Sequence, residues 1–172
     1  MKAFISYHRA DQKYKDKIVE ILKKIQIQTD EDFNDDYFQG LNNQAIAQFF
    51  KDKVKNSDVV ICILGNDTYK RPFVDNEIKE ALRGGCGQRK GIVAIMLETR
   101  SDRKNNIDLD TIPVRIAQNL NYIVLEQYAS IERRLKLAID LAIEKSKDSK
   151  LLVSNTNPQM KLRKGEYYQH KG

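Results

Sequence analysis

Val59-Val60-Ile61-Cys62-Ile63-Leu64 is apolar at all six positions, as a central parallel strand covered on both faces requires. Gly65-Asn66-Asp67-Thr68 breaks it. Before it, Asn43 to Val54 repeats apolar residues at helical spacing, with Ile46, Phe49, Phe50 and Val54 on one side. After it, Phe73 to Arg83 does the same with Val74, Ile78, Ala81 and Leu82, and Gly84-Gly85 ends that helix. Ile92 to Leu97 is a second buried strand. Nearer the start, Ala3 to Tyr7 is a short strand. Asp11 reads as the N-cap of a helix bearing Tyr14, Ile18, Ile21, Leu22 and Ile25 on one face. Ile25 to Thr29 reads as a weaker strand overlapping the end of that helix, and Phe33 to Gly40 as a loop rich in turn formers. Glu98 to Thr111 is a polar loop, Tyr122 to Leu125 a short strand, and Ile131 to Ser146 an amphipathic helix with Ile131, Leu135, Ala138, Ile139 and Ala142 inward. Strands alternating with helices predict a three-layer α/β/α sandwich around a parallel sheet of about five strands. Ligands of such sheets bind beyond the carboxyl ends of the strands, where the strand order reverses.

The chain has 172 residues, 41% hydrophobic and 31% charged, which suits one compact domain and excludes a disordered or fibrous chain. No apolar run approaches the roughly 20 residues that span a bilayer. The N-terminus lacks the apolar core of a secretory signal, and two cysteines, Cys62 and Cys86, make neither a disulfide framework nor a zinc site. A cytoplasmic protein without membrane association is expected. The net charge is +6, and half of it lies in residues 148–172, where Lys150, Lys161, Arg163, Lys164 and Lys171 oppose Asp148 and Glu166. The division is therefore a domain over 1–147 and a basic, partly mobile tail over 148–172. The body is nearly balanced and shows no basic block, which argues against specific nucleic-acid binding.

Several chemistries fail on the residues present. Gly84-Gly85-Cys86-Gly87 has no Lys-Ser/Thr pair and no helix behind it, so it is no phosphate loop. No G-x-G-x-x-G follows the first strand. A phosphoacceptor domain needs an aspartate where Leu64-Gly65 stands. With only His8 and His170, a cysteine nucleophile lacks its base, and no metal site is expected. A carboxylate remains: Glu77, near the start of the helix after the central strand, projects beside the core stripe toward the strand ends. Its ordinary alternative is a solvent-facing helix carboxylate, as for Glu80. His8 alone reads as a surface or loop-packing residue.

Four segments then resemble the Toll/interleukin-1 receptor (TIR) domain family, whose fold is flavodoxin-like. Phe4-Ile5-Ser6-Tyr7 is similar to its first strand. Phe33-Asn34-Asp35-Asp36 through Gly40 is similar to the loop after its second strand. Ser57-Asp58 into Val59–Leu64 is similar to the strand after its second helix. Phe73-Val74-Asp75-Asn76-Glu77-Ile78-Lys79-Glu80-Ala81-Leu82 is similar to Trp-Val-x-x-Glu-Ile-x-x-Ala-Leu. Ser-Tyr-His at residues 6–8, the turn at 65–68, and Ile112-Pro113 followed by Arg115 resemble the bacterial branch that includes the proteins of Thoeris antiphage defence.

The resemblance implies an NAD-consuming enzyme. NAD is its substrate rather than a cofactor, Glu77 is the catalytic residue, and Ser6, Tyr7, His8, Asp36 and Phe73 are substrate contacts. Phe73 stands where many members have Trp. It further implies that the nicotinamide–ribose bond is cleaved to make a cyclic ADP-ribose-type signal for a separate effector protein, with a phage protein as trigger and a homo-oligomer as the working form. Two other readings stay open: a non-catalytic TIR module that self-associates and recruits partners, and a nucleotide-binding or deoxyribosyltransferase-like protein on the same sandwich.

Overall fold

The computed structural model describes residues 1–30, 38, 40–84 and 88–161. The elements follow in the order β1 (Lys2–Ser6), α1 (Gln12–Lys24), β2 (Gln28–Thr29), α2 (Asn43–Lys55), β3 (Val59–Leu64), α3 (Pro72–Arg83), β4 (Gly91–Met96), α4 (Val114–Ala117), β5 (Val124–Gln127) and α5 (Ile131–Lys147). The five strands form one sheet in the order β2-β1-β3-β4-β5, and every pairing is parallel. The chain moves outward from β1 to β2, then crosses back to β3 on the other side of β1. The reversal point of strand order therefore lies between the carboxyl ends of β1 and β3.

Side chains alternate across a strand, and the two cores follow that alternation. Ala3, Ile61, Ile63, Val93 and Ile95 pack with Ile18, Ile21 and Leu22 of α1 and with Leu135, Ala138 and Ile139 of α5. Phe4, Val60, Cys62, Leu64, Ala94 and Met96 pack on the opposite face with Val54 of α2, Val74, Ile78 and Ala81 of α3 and Ile116 of α4. β3 is buried at all six positions because both layers cover it. α5 rides against β4 at Gly91, where a Cβ would stand 2.7 Å from the backbone of Ala142. Gly84, at φ 69°, is the left-handed cap that stops α3.

Four local expectations differ from the fold. β2 keeps only Gln28–Thr29, because Ile25 N–H still bonds Ile21 O of α1 and Gln26 takes a φ of 58°. β5 starts two residues late, since the amides of Tyr122 and Ile123 both donate to Asn119 O and hold a turn. Asp11 makes no side-chain cap; a 3-10 turn over Arg9–Asp11 precedes α1, and the Asp11 carboxylate packs over Gly65, where a Cβ would meet Oδ2 at 2.3 Å. Glu80 is buried rather than solvent-facing.

Residues 148–161 lie on the α3–α4 side of the body. Arg115, fully buried, donates to Asn155 Oδ1 at 2.9 Å and to the carbonyls of Asn157 and Pro158. Its Nε lies 2.9 Å from Asp75 Oδ1 of α3. Asn119 donates to Ser154 O and accepts from Ser154 N, and Arg89 donates to Leu151 O and Asp148 O. Asn155 Nδ2 reaches Lys79 O, and Met160 N reaches Asp75 Oδ2. Among the described residues no helix is long and apolar enough to cross a membrane.

Candidate active site

The reversal point is built by three elements. β1 ends at Ser6, whose register partner on β3 is Cys62. Phe4 and Ser6 share a strand face because they are two residues apart, and Phe4 places that face toward α2 and α3. α3 begins beyond the carboxyl end of β3 with Pro72 at its first turn, a position where the missing N–H costs nothing. One turn later it brings Glu77 down over β1. Ser6 Oγ donates to Glu77 Oε2 at 2.5 Å. Ser6 is 1% exposed and Glu77 6%.

A carboxyl so enclosed loses most of its hydration. Burial pushes the Glu77 pKa up to about 8 from an ordinary 4.5, and the Ser6 hydrogen bond opposes the rise without cancelling it. Cys62 responds to the same enclosure: burial, then the charge of Glu77, push its thiol well up, so it stays protonated. A carboxyl raised by desolvation at a strand-order reversal has the setting of a functional acid or base rather than of a structural ion pair.

The loops above the strand ends are pinned. Gly65 N donates to Thr68 Oγ1, which donates to Ile63 O. Arg100, 4% exposed, donates to Gly65 O, Thr111 O and both carboxylate oxygens of Asp102, and so ties the loop after β3 to the loop after β4. The hydrogen bond from Lys70 holds the Asp67 carboxyl below its ordinary range, and Arg71 and then His8 add to that effect. Asp11 is pushed up by burial first and by Asp67 second. Along the α2 side runs an aromatic cluster. The Phe50 ring lies 6.3 Å from both Phe4 and Phe73 and 5.5 Å from Phe38 and Phe49.

The structure thus brings Ser6 and Glu77 together, with Phe73 one turn before Glu77 on the same helix. It sends Tyr7 to the opposite face, packed against the α1–α5 core with its hydroxyl on Gln12 Oε1 at 2.6 Å. His8 sits in the loop cluster with Asp67, and no bond joins it to Glu77. Asp36 lies outside the described residues. Sequence reasoning missed Cys62 as a neighbour of the carboxyl, since an apolar strand gives no sign of it. It read Phe50 as core only, and did not foresee the buried Arg100 and Arg115.

The family model of the Thoeris protein ThsB, TIR-like domain, matches residues 4–102, which include Ser6, Cys62, Phe73 and Glu77. The chain belongs to the Thoeris ThsB TIR-like family. The match covers more than half of the chain and stops before α4, so Arg115 and the segment 148–161 lie beyond it. No curated protein matches the chain in sequence. Among solved structures, the Clostridium botulinum CMP N-glycosidase BcmB is similar, with a TM-score of 0.54 and 16% identity over 80% of this chain and 98% of that one. At that identity the likeness is one of fold.

Proposed function

We propose that this TIR-like protein cleaves the N-glycosidic bond between nicotinamide and ribose in NAD and closes the remaining ADP-ribose into a cyclic signal for a separate effector. The observation that carries the reading is the enclosed Glu77 carboxyl, held by Ser6 where the strand order reverses. Family membership supports it, and the fold it shares with a CMP N-glycosidase adds that this architecture carries N-glycosidic cleavage in another protein.

Nicotinamide is cationic while attached to ribose. When its bond to C1′ breaks, the bonding pair goes to the ring nitrogen and nicotinamide departs neutral, so the leaving group needs no proton. The positive charge moves onto the ribose as an oxocarbenium ion. A carboxylate already desolvated and fixed beside that carbon stabilises the developing charge without reorganising. At pH 7 a Glu77 with a pKa of about 8 is only about one-tenth ionised. The cationic nicotinamide ring of the substrate, placed beside the carboxyl, favours the ionised form and draws the proton off as it binds. Capture of C1′ by a nucleophile of the same molecule closes a ring and releases one proton; capture by water gives ADP-ribose, so water exclusion sets the product. Phe73 supplies apolar surface beside the carboxyl, and His8 and Asp36 are the polar groups proposed for the rest of the nucleotide. A phage protein as trigger and assembly into a homo-oligomer complete the proposal.

The test is incubation with NAD, alone and in lysate of phage-infected cells, with nicotinamide and the nucleotide product followed by mass spectrometry. Wild type releases nicotinamide and a product lighter than ADP-ribose by one water; Glu77→Gln releases neither. Nicotinamide release that survives Glu77→Gln rejects the proposal.

A further inference from the structure

Ser6 is the one described side chain that bonds the Glu77 carboxyl, and it does so from a position closed to solvent. Its hydroxyl donates to Oε2 at 2.5 Å, while Oε1 takes no hydrogen bond from a described residue. At 1% exposure Ser6 offers no surface to a ligand, whereas Glu77 keeps a small exposed fraction. On the neighbouring strand, Cys62 is the register partner of Ser6.

We infer that Ser6 is a positioning residue for Glu77: it engages one carboxyl oxygen and leaves the other, Oε1, to face the ribose. This rests on the NAD-cleaving reading for its outcome in catalysis, but not for its effect on the carboxyl. The groups around Glu77 are few. Cys62 is the titratable group facing it from β3, and Glu80 lies three residues on along α3. α2 contributes the Phe50 ring against Phe4 and Phe73. The charges of His8, Asp11, Asp67 and Arg71 are clustered with one another on the loops above. A donor on Oε2 favours the ionised carboxylate, so its removal moves the titration of Glu77 to higher pH while the substrate-facing oxygen is untouched.

The experiment has two arms. In the first, the pH dependence of unfolding free energy is measured for wild type, Ser6→Ala and Ser6→Thr, each against the same protein carrying Glu77→Gln; the pH at which the difference within a pair stops growing reports the titration of Glu77 in the folded protein without any substrate. Ser6→Ala is expected to raise it by about one pH unit, the usual effect of one hydrogen bond to a charged group. Ser6→Thr, which keeps the hydroxyl, is expected to restore it. In the second arm, nicotinamide release by Ser6→Ala falls about tenfold in kcat/KM at pH 7 and recovers as pH is raised. A Glu77 titration that does not move in Ser6→Ala overturns the inference, as does a loss of kcat/KM that raising the pH does not recover. Absence of NAD cleavage by wild type, with the first arm as expected, strikes the proposed function and leaves the positioning role standing.

Discussion

Glu77→Gln is expected to make this protein more stable while removing its proposed activity, and the gain is expected to grow with pH. The carboxyl has a folded pKa of about 8 against an ordinary 4.5, so the native state holds a proton that the unfolded chain has lost. The sign follows from linkage: the stability tied to this group is fully present below pH 4.5 and is lost as pH rises toward 8. Each pH unit in that interval costs about 1.4 kcal/mol. The cost is small at pH 5, about 3 kcal/mol at pH 7 and nearly 5 kcal/mol above pH 8. Glutamine has the same shape, cannot ionise, and still offers a carbonyl oxygen to the Ser6 hydroxyl, so it avoids the cost without opening a cavity. At pH 7 the variant's midpoint should rise by roughly 6–12 °C for a chain of this size. The assay is urea unfolding of both proteins from pH 4.5 to 9, read by circular dichroism. A stability difference that stays flat between pH 5 and 8, or a variant less stable than wild type at pH 7, would refute the reasoning.

Three further outcomes follow from the same structure. The kcat/KM for NAD should rise about tenfold per pH unit below pH 7 and level off above pH 8, because the free enzyme must ionise Glu77; the kcat profile should lie at lower pH because the nicotinamide ring of the bound substrate is cationic, and initial rates of nicotinamide release check both. Arg115→Ala should cost about 3–5 kcal/mol in urea unfolding, since it strands the buried Asp75 carboxylate and frees residues 155–158, and limited proteolysis should then cut within 148–161. Gly91→Ala should cost about 1–3 kcal/mol, because its Cβ would stand 2.7 Å from the α5 backbone.

How much of this was legible in the sequence divides along a physical line. β3 was readable because a strand covered on both faces is apolar throughout. α1, α2, α3 and α5 were readable because each buries one stripe: Ile18, Ile21 and Leu22, or Leu135, Ala138 and Ile139, fell where the period put them. Glu77 was found by its place in a motif, and its burial was not, since a carboxylate two positions from a lysine on a helix reads as exposed. The rest depends on partners distant in the chain. Arg115 is buried because Asp75 and Asn155 meet it, and Arg100 because Gly65 and Thr111 do; no local pattern carries such information. Asp11 failed as a cap for the same reason, as its carboxylate is spent against Gly65. Whether residues from 151 onward fold back was open in the sequence, and the bonds of Arg89, Arg115 and Asn119 answer it as far as residue 158.

The path of residues 148–161 has a practical corollary for anyone building on this scaffold. Met160 meets Asp75 in the opening turn of α3, whereas Lys2 starts β1 at the amino-terminal ends of the strands, beside Asp58. A reporter or affinity handle inserted behind residue 161 would set out from the Asp75 side of α3, about half a turn round from the side on which Glu77 meets Ser6. The same graft ahead of residue 1 would depart from the amino-terminal ends of the strands, away from the carboxyl end of β1 where Ser6 holds Glu77, so labelling and immobilisation at either place leave that carboxyl clear.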